Sequence, residues 1–239
     1  MIDEWHSGFV LHTRKYRESS LLLTLWLEDY GKLNTIARGV LAKGGKKSYK
    51  KRNLFQPFSE LRFRLNYRVG RLNVISGCEQ VHVYPAYDYI CELGRLYVNE
   101  VLYWLMPEDI ADAALFDHYR LFLKRLDCTN LAACLRDFEL KLLTSLGFGI
   151  NVDEDIMGKA ISEDQYYAIY PGELFFPVVE SKGIKGEFIL QMSKDPHSWS
   201  DEMLKAVKKI TRIHIDALLE GRVLLTRQLI KQAMVKPQK

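Results

Sequence analysis

The first eighty residues carry short apolar runs set between polar turns. Phe9-Val10-Leu11-His12-Thr13-Arg14 begins apolar and turns polar. Leu21 to Leu27 reads LLLTLWL, a length that suits a buried strand. Asp29-Tyr30-Gly31-Lys32 supplies turn chemistry, and Leu33 to Arg38 reads as the returning strand. Leu61-Arg62-Phe63-Arg64-Leu65 alternates strictly, which places Leu61, Phe63 and Leu65 on one face. After a turn at Asn66 to Gly70, Leu72-Asn73-Val74-Ile75 opens a fifth strand. Five short strands without a long helix predict a small closed barrel, with the OB-fold as the natural candidate.

From residue 88 the period changes to that of helices. Asp88 to Met106 places Ile90, Leu93, Tyr97, Val101 and Trp104 on a helical spacing, and Pro107 stops the pattern. Its aromatics are expected in the core. Leu115, Tyr119, Phe122 and Leu126 align on a second helix. A third, opened by Asn130 as N-cap and closed at Gly147, carries Leu131, Leu135, Phe138, Leu142 and Leu146 as its core stripe. Residues 148–198 are irregular, with a hairpin expected across Pro171-Gly172. Ser198 or Ser200 opens a last long helix that Gly221 stops. The expected class is α+β. A five-stranded OB barrel over 1–80 precedes a mainly helical domain over 81–239, with a small irregular β insertion around 150–198.

Charge sharpens this division. Residues 1–80 hold 15 Lys and Arg against 7 Asp and Glu; residues 81–160 hold 7 against 13. A basic head suits a polyanion. Within it, Lys43, Lys46, Lys47, Lys50, Lys51 and Arg52 crowd into ten residues with Gly44, Gly45 and no acid. Mutual repulsion and two glycines predict a segment that is mobile when free. Near phosphates those charges would displace condensed counterions. A merely solvated surface loop is the alternative. Lys205, Lys208, Lys209 and Arg212 form one basic face of the last helix, either a further phosphate track or a solvated surface.

Enzymatic signals are missing from the sequence. A phosphate loop starting at Gly39 reaches Gly44 but meets Gly45 where lysine is required. His6, His12, His82, His118, His197 and His214 show no metal-ligand spacing, and there is no GxSxG or GxGxxG. Cys78, Cys91, Cys128 and Cys134 make no CxxC, and reduced cytosolic thiols are expected. No run of 18 apolar residues exists, and the start does not read as a secretory signal. No catalytic residue, metal or cofactor is expected.

Four strings carry a family resemblance: GFVLHTRKYRESSLLLTLWLEDYGKLNTIARGV at 8–40, QPF at 56–58, LYVNEVL at 96–102 and LRDFELKLLTSLGFGIN at 135–151. In this order and spacing they resemble the bacterial RecO family of recombinational repair proteins, from about Trp5 to about Ala233. The resemblance implies an OB domain on a helical domain that binds single- and double-stranded DNA without a nucleotide. It implies annealing of complementary strands coated with single-strand-binding protein (SSB), binding of the acidic SSB C-terminal tail, and RecA loading together with RecR. The setting it implies is the cytoplasm, at the nucleoid.

By position in those strings, Arg14 with its neighbour Lys15, Arg38 and the cations at 43, 46, 47, 50, 51 and 52 match the family's DNA-binding region. Arg136 matches the arginine associated with the SSB tail, with Leu140 and Leu143 beside it. Residue chemistry alone favours an ordinary pair between Arg136 and Glu139. The resemblance favours the tail.

Overall fold

The computed structural model describes residues 4–41, 53–66, 72–180 and 183–235. The chain forms two compact units, Met1–Lys124 with Leu224–Lys239, and Arg125–Val223.

The first unit is built on five strands, β1 (His6–Tyr16), β2 (Ser20–Leu27), β3 (Gly31–Ala37), β4 (Ser59–Asn66) and β5 (Asn73–Val83). They close into a barrel in the order β1-β2-β3-β5-β4, with β3 and β5 parallel and the remaining pairs antiparallel. This is the expected five-stranded OB barrel. Its inner face takes the alternating apolar positions, including Val10, Leu23, Leu25, Leu33, Leu61, Phe63 and Leu65. β2 is buried along its whole length. Its second face meets helix α2 (Ala113–Arg125), where Phe9 and Trp26 pack against the rings of Phe116 and Tyr119. Arg120 fixes this packing through Glu60 at 2.9 Å and Glu28 at 3.3 Å.

Helix α1 (Tyr89–Leu105) begins on an Asp88 cap whose carboxylate accepts the Cys91 N–H at 2.9 Å. Leu93, Tyr97 and Val101 are buried as the spacing predicts, whereas Trp104 is 41% exposed. Burial continues on either side of it at Leu102 and Met106. Arg95, also on α1, is buried; its guanidinium lies 3.9 Å from the Phe58 ring and donates to the Pro85 carbonyl at 2.7 Å.

In the second unit, helix α3 (Leu131–Ser145) ends at Gly147, which takes the left-handed φ of 83°. Asn130 makes no side-chain cap bond, since its amide is drawn instead to Asp127 at 2.7 Å. The expected hairpin is present as β6 (Tyr166–Ala168) against β7 (Phe176–Val178), with the two-residue β8 (Ile184–Lys185) added on the other edge. The short α4 (Gly186–Gln191) leads to the long α5 (Asp201–Leu218). α5 opens on Ser200, whose hydroxyl accepts the Met203 N–H at 3.2 Å. The core here joins Tyr167, Phe175, Ile189, Met203, Val207 and Ile210.

The chain then supplies one further helix, α6 (Leu225–Val235), which belongs to the barrel's unit. Its first amides, of Leu225 and Thr226, donate to the Glu100 carboxylate on α1 at 2.9 Å each. Cys78 and Cys134 are free thiols and Cys91 and Cys128 are not, which corrects the expectation of four reduced thiols.

Candidate nucleic-acid interface and peptide groove

β1 is buried from Gly8 to Leu11 and exposed from His12 to Lys15. The change follows a register shift between Val10 and His12, which turns the strand's second half outward. Arg14 and Lys15 stand on this exposed half, in register with Leu22 and Leu21 of β2. Those residues pair in turn with Ile36 and Ala37 of β3, immediately before Arg38. Three expected cations, all exposed, thus share one end of a three-strand surface.

At the same end the Leu41 N–H donates to the Ser19 carbonyl at 2.9 Å, in the turn between β1 and β2. The segment holding Lys43, Lys46, Lys47, Lys50, Lys51 and Arg52 departs from there. Those six residues lie outside the described residues. Leu41, the last described residue before that segment, is thereby held at the end of the barrel that carries Arg14 and Lys15.

Two further clusters were not anticipated by residue type. On the outer face of β4, the guanidinium groups of Arg62 and Arg64 lie 5.7 and 4.9 Å from the Trp5 ring. Gly77 makes room for this indole, since a Cβ there would stand 2.9 Å from Trp5 Cη2. Glu79 pairs in register with Arg62 and offsets part of the charge.

The other cluster joins β1 to α1. His12 and Tyr103 have ring centroids 4.9 Å apart, and Tyr103 and Trp104 4.8 Å. Beneath them the buried Lys32 ammonium donates to the Tyr103 carbonyl at 2.8 Å. Burial pulls the Lys32 pKa down, and Glu108 opposes that shift. Partial burial and then the nearby Arg14 charge lower the His12 pKa.

In the second unit, Arg136, Leu140 and Leu143 do not form the exposed set that their helical spacing suggests. Leu143 has no exposed surface, Leu140 is half-buried, and Arg136 is 6% exposed. The Arg136 guanidinium donates to Glu139 at 2.5 Å, and the other Glu139 oxygen accepts the Thr211 hydroxyl. The pair suggested by residue chemistry is the one present.

The next face of α3 lines an open groove of about 410 Å³. Leu140, Ile150, Met192 and Trp199 give it an apolar wall. Lys141 and Lys194 border it as cations, and Asp137 and Asp195 as acids. Sequence spacing could not reveal this groove, because it gathers residues from α3, the following loop and the segment before α5.

Among the described residues there is no group of three His, Cys, Asp or Glu placed to hold a metal ion. No helix among them is long and apolar enough to cross a membrane. The two free thiols are poorly activated: burial and Glu79 push Cys78 up to about 12, and burial raises Cys134.

A small closed barrel with cations gathered at one end defines an OB-fold protein of the polyanion-binding class. Comparison with known sequences agrees and narrows it. The model described as Recombination protein O N terminal matches residues 1–84, and Recombination protein O C terminal matches residues 93–226. The DNA repair protein RecO of Francisella tularensis subsp. novicida is 36% identical over 235 residues, covering 96% of this chain and 97% of the relative. That of Pseudoalteromonas atlantica is 32% identical over 244 residues, covering 99% and 98%. That of Yersinia pestis is 30% identical over 241 residues, again covering 99% and 98%. The chain belongs to the RecO family. Its role is accordingly in DNA repair and recombination, with DNA binding, and its barrel is an OB-fold.

Proposed function

We propose that this protein is a recombination mediator that binds single- and double-stranded DNA and anneals complementary strands coated with SSB. With RecR it promotes RecA loading, in the cytoplasm at the nucleoid. The observation that carries this reading is that Arg14, Lys15 and Arg38 share one end of the barrel with Leu41, after which the six-cation segment follows in sequence. Annealing requires two polyanions to approach. Cations without base-specific geometry lower that repulsion and leave bases free to find their complements. The process needs no nucleophile, metal or nucleotide.

For the SSB tail, the groove beside α3 supports the reading better than Arg136 itself does. An acidic tail with an apolar side chain fits a wall of Leu140, Ile150, Met192 and Trp199 bordered by Lys141 and Lys194. Arg136 and Leu143 then act from behind, by holding α3 in place.

The test is annealing of complementary oligonucleotides pre-coated with SSB, without ATP or added metal. Acceleration on coated strands is the expected result. Acceleration on bare strands alone would retain the DNA-binding barrel and discard the groove as the tail site. No acceleration on either would overturn the annealing role.

A further inference from the structure

We propose that His12, Tyr103 and Trp104 form a base-stacking platform for a single strand of nucleic acid whose backbone runs over Arg14. This rests on the reading that the barrel binds nucleic acid, and it adds a contact to bases where the cations supply only contacts to phosphate. The rings form a continuous run, with centroid separations of 4.9 and 4.8 Å. His12 is exposed, and Trp104 keeps 41% of its surface in contact with solvent. An indole at the end of an amphipathic helix is expected in the core, so an exposed one beside two further rings marks a surface that can bury more apolar area.

Strand geometry supplies the link to phosphate. His12 and Arg14 are two residues apart on the exposed half of β1 and so point to the same side, about 7 Å apart. The nearby acid does not spoil the site, because Glu108 is engaged by the Asn34 amide at 3.0 Å and interacts with the Lys32 ammonium. Lys32 holds the backbone of the central residue through the Tyr103 carbonyl, and its ammonium lies 6.0 Å from the Tyr103 ring. Each base has a π face, which makes such a platform tolerant of sequence, as annealing of arbitrary strands requires. A purely structural role for the three rings would need only Tyr103, which covers Lys32. It gives no reason for the exposure of Trp104.

The experiment compares fluorescein-labelled oligothymidylate with an abasic oligonucleotide of equal length and charge, binding to the full chain at several salt concentrations. Trp104→Ala should weaken oligothymidylate binding about tenfold. It should leave abasic binding and the salt slope unchanged, and Trp104→Phe should recover most of the loss. Arg14→Ala should instead weaken both oligonucleotides alike and lower the slope by about 1. Equal loss of both oligonucleotides in Trp104→Ala, or no loss of either, overturns the platform while leaving the cationic site intact. Failure of the parent protein to bind either one overturns the wider reading and the platform with it. Should Trp104→Ala fail to fold, photocrosslinking of the unaltered protein to 5-iododeoxyuridine strands decides. Adducts on His12, Tyr103 or Trp104 are expected, and adducts confined to other residues overturn the proposal.

Discussion

Arg136 and Glu139 stand one turn apart on α3, 2.5 Å from each other, with both side chains less than a tenth exposed. Thr211 of α5 donates to the second carboxylate oxygen, so the pair also ties the two long helices of its unit together. Removing one partner strands a buried charge. Glu139→Ala should therefore cost about 3–5 kcal/mol, and Arg136→Ala a comparable amount. Urea unfolding followed by helical circular dichroism measures both. A shift below about 1 kcal/mol in each variant would show that the pair does not hold α3. The result matters for function as well, because loss of tail binding in Arg136→Ala would then follow from displacement of α3.

The groove lysines separate charge from scaffold. Lys141 and Lys194 are exposed, so each contributes no more than a surface ion pair. Changing both to Ala should weaken binding of an SSB tail peptide by about 1 kcal/mol, with less effect at high salt. Titration calorimetry at two salt concentrations checks this, with bare single-stranded DNA as the control that should not change.

Neutralising Lys46, Lys47, Lys50 and Lys51 together should flatten the salt dependence of DNA binding. If each contacts one phosphate, the log–log slope falls by about 3–4 in magnitude. An unchanged slope would remove the segment from the DNA site.

Two glycines with the same backbone sign should respond differently to alanine. Gly31 has φ 72°, and a Cβ there would lie 1.9 Å from the Ile110 carbonyl oxygen. Gly39 has φ 70° and open space around it. Gly39→Ala should cost about 1–2 kcal/mol, the left-handed penalty alone. Gly31→Ala must also displace backbone and should cost about 3 kcal/mol or more. Thermal melts of the two variants give the comparison. Similar melting temperatures would show that the chain around Ile110 yields freely.

His12 predicts a direction for acid sensitivity. Its pKa is lowered in the folded chain by burial and by Arg14, so as pH falls the unfolded chain takes up the proton first, near 6.5. The stability tied to His12 is complete above that value. It declines as pH drops below it and levels off beneath the folded pKa. His12→Gln should flatten this part of the profile, which denaturant unfolding at pH 7.5 and 5.5 measures. A steeper decline in the variant would reverse the assigned sign.

The barrel was legible because its strands alternate: Leu61, Phe63 and Leu65 face inward while Arg62 and Arg64 do not. The cationic residues at its end were legible by charge, and the structure adds that Arg14, Lys15 and Arg38 lie at the same end of the β1–β2–β3 surface. Other features depend on distant parts of the chain. Trp104 fits a helical stripe by spacing, yet whether a neighbour covers it is a tertiary matter. The groove joins residues near 140 and 150 to residues near 195, which no local period connects. The burial of Arg95 is likewise invisible locally, since it depends on Phe58 and the Pro85 carbonyl. β8 is too short to carry a period, and α6 is marked in sequence by little beyond its leucines.

α6 also has a bearing on biosynthesis. It caps its first amides on Glu100 and sets Arg227 5.7 Å from the Tyr97 ring, yet the ribosome makes it after every residue of Arg125–Val223. The barrel's unit thus waits for a segment made only after the whole intervening unit. During synthesis the intervening unit can reach its native state while the barrel's unit still lacks one helix. A premature stop just before Leu224 would then spare the groove and leave the barrel's unit one helix short.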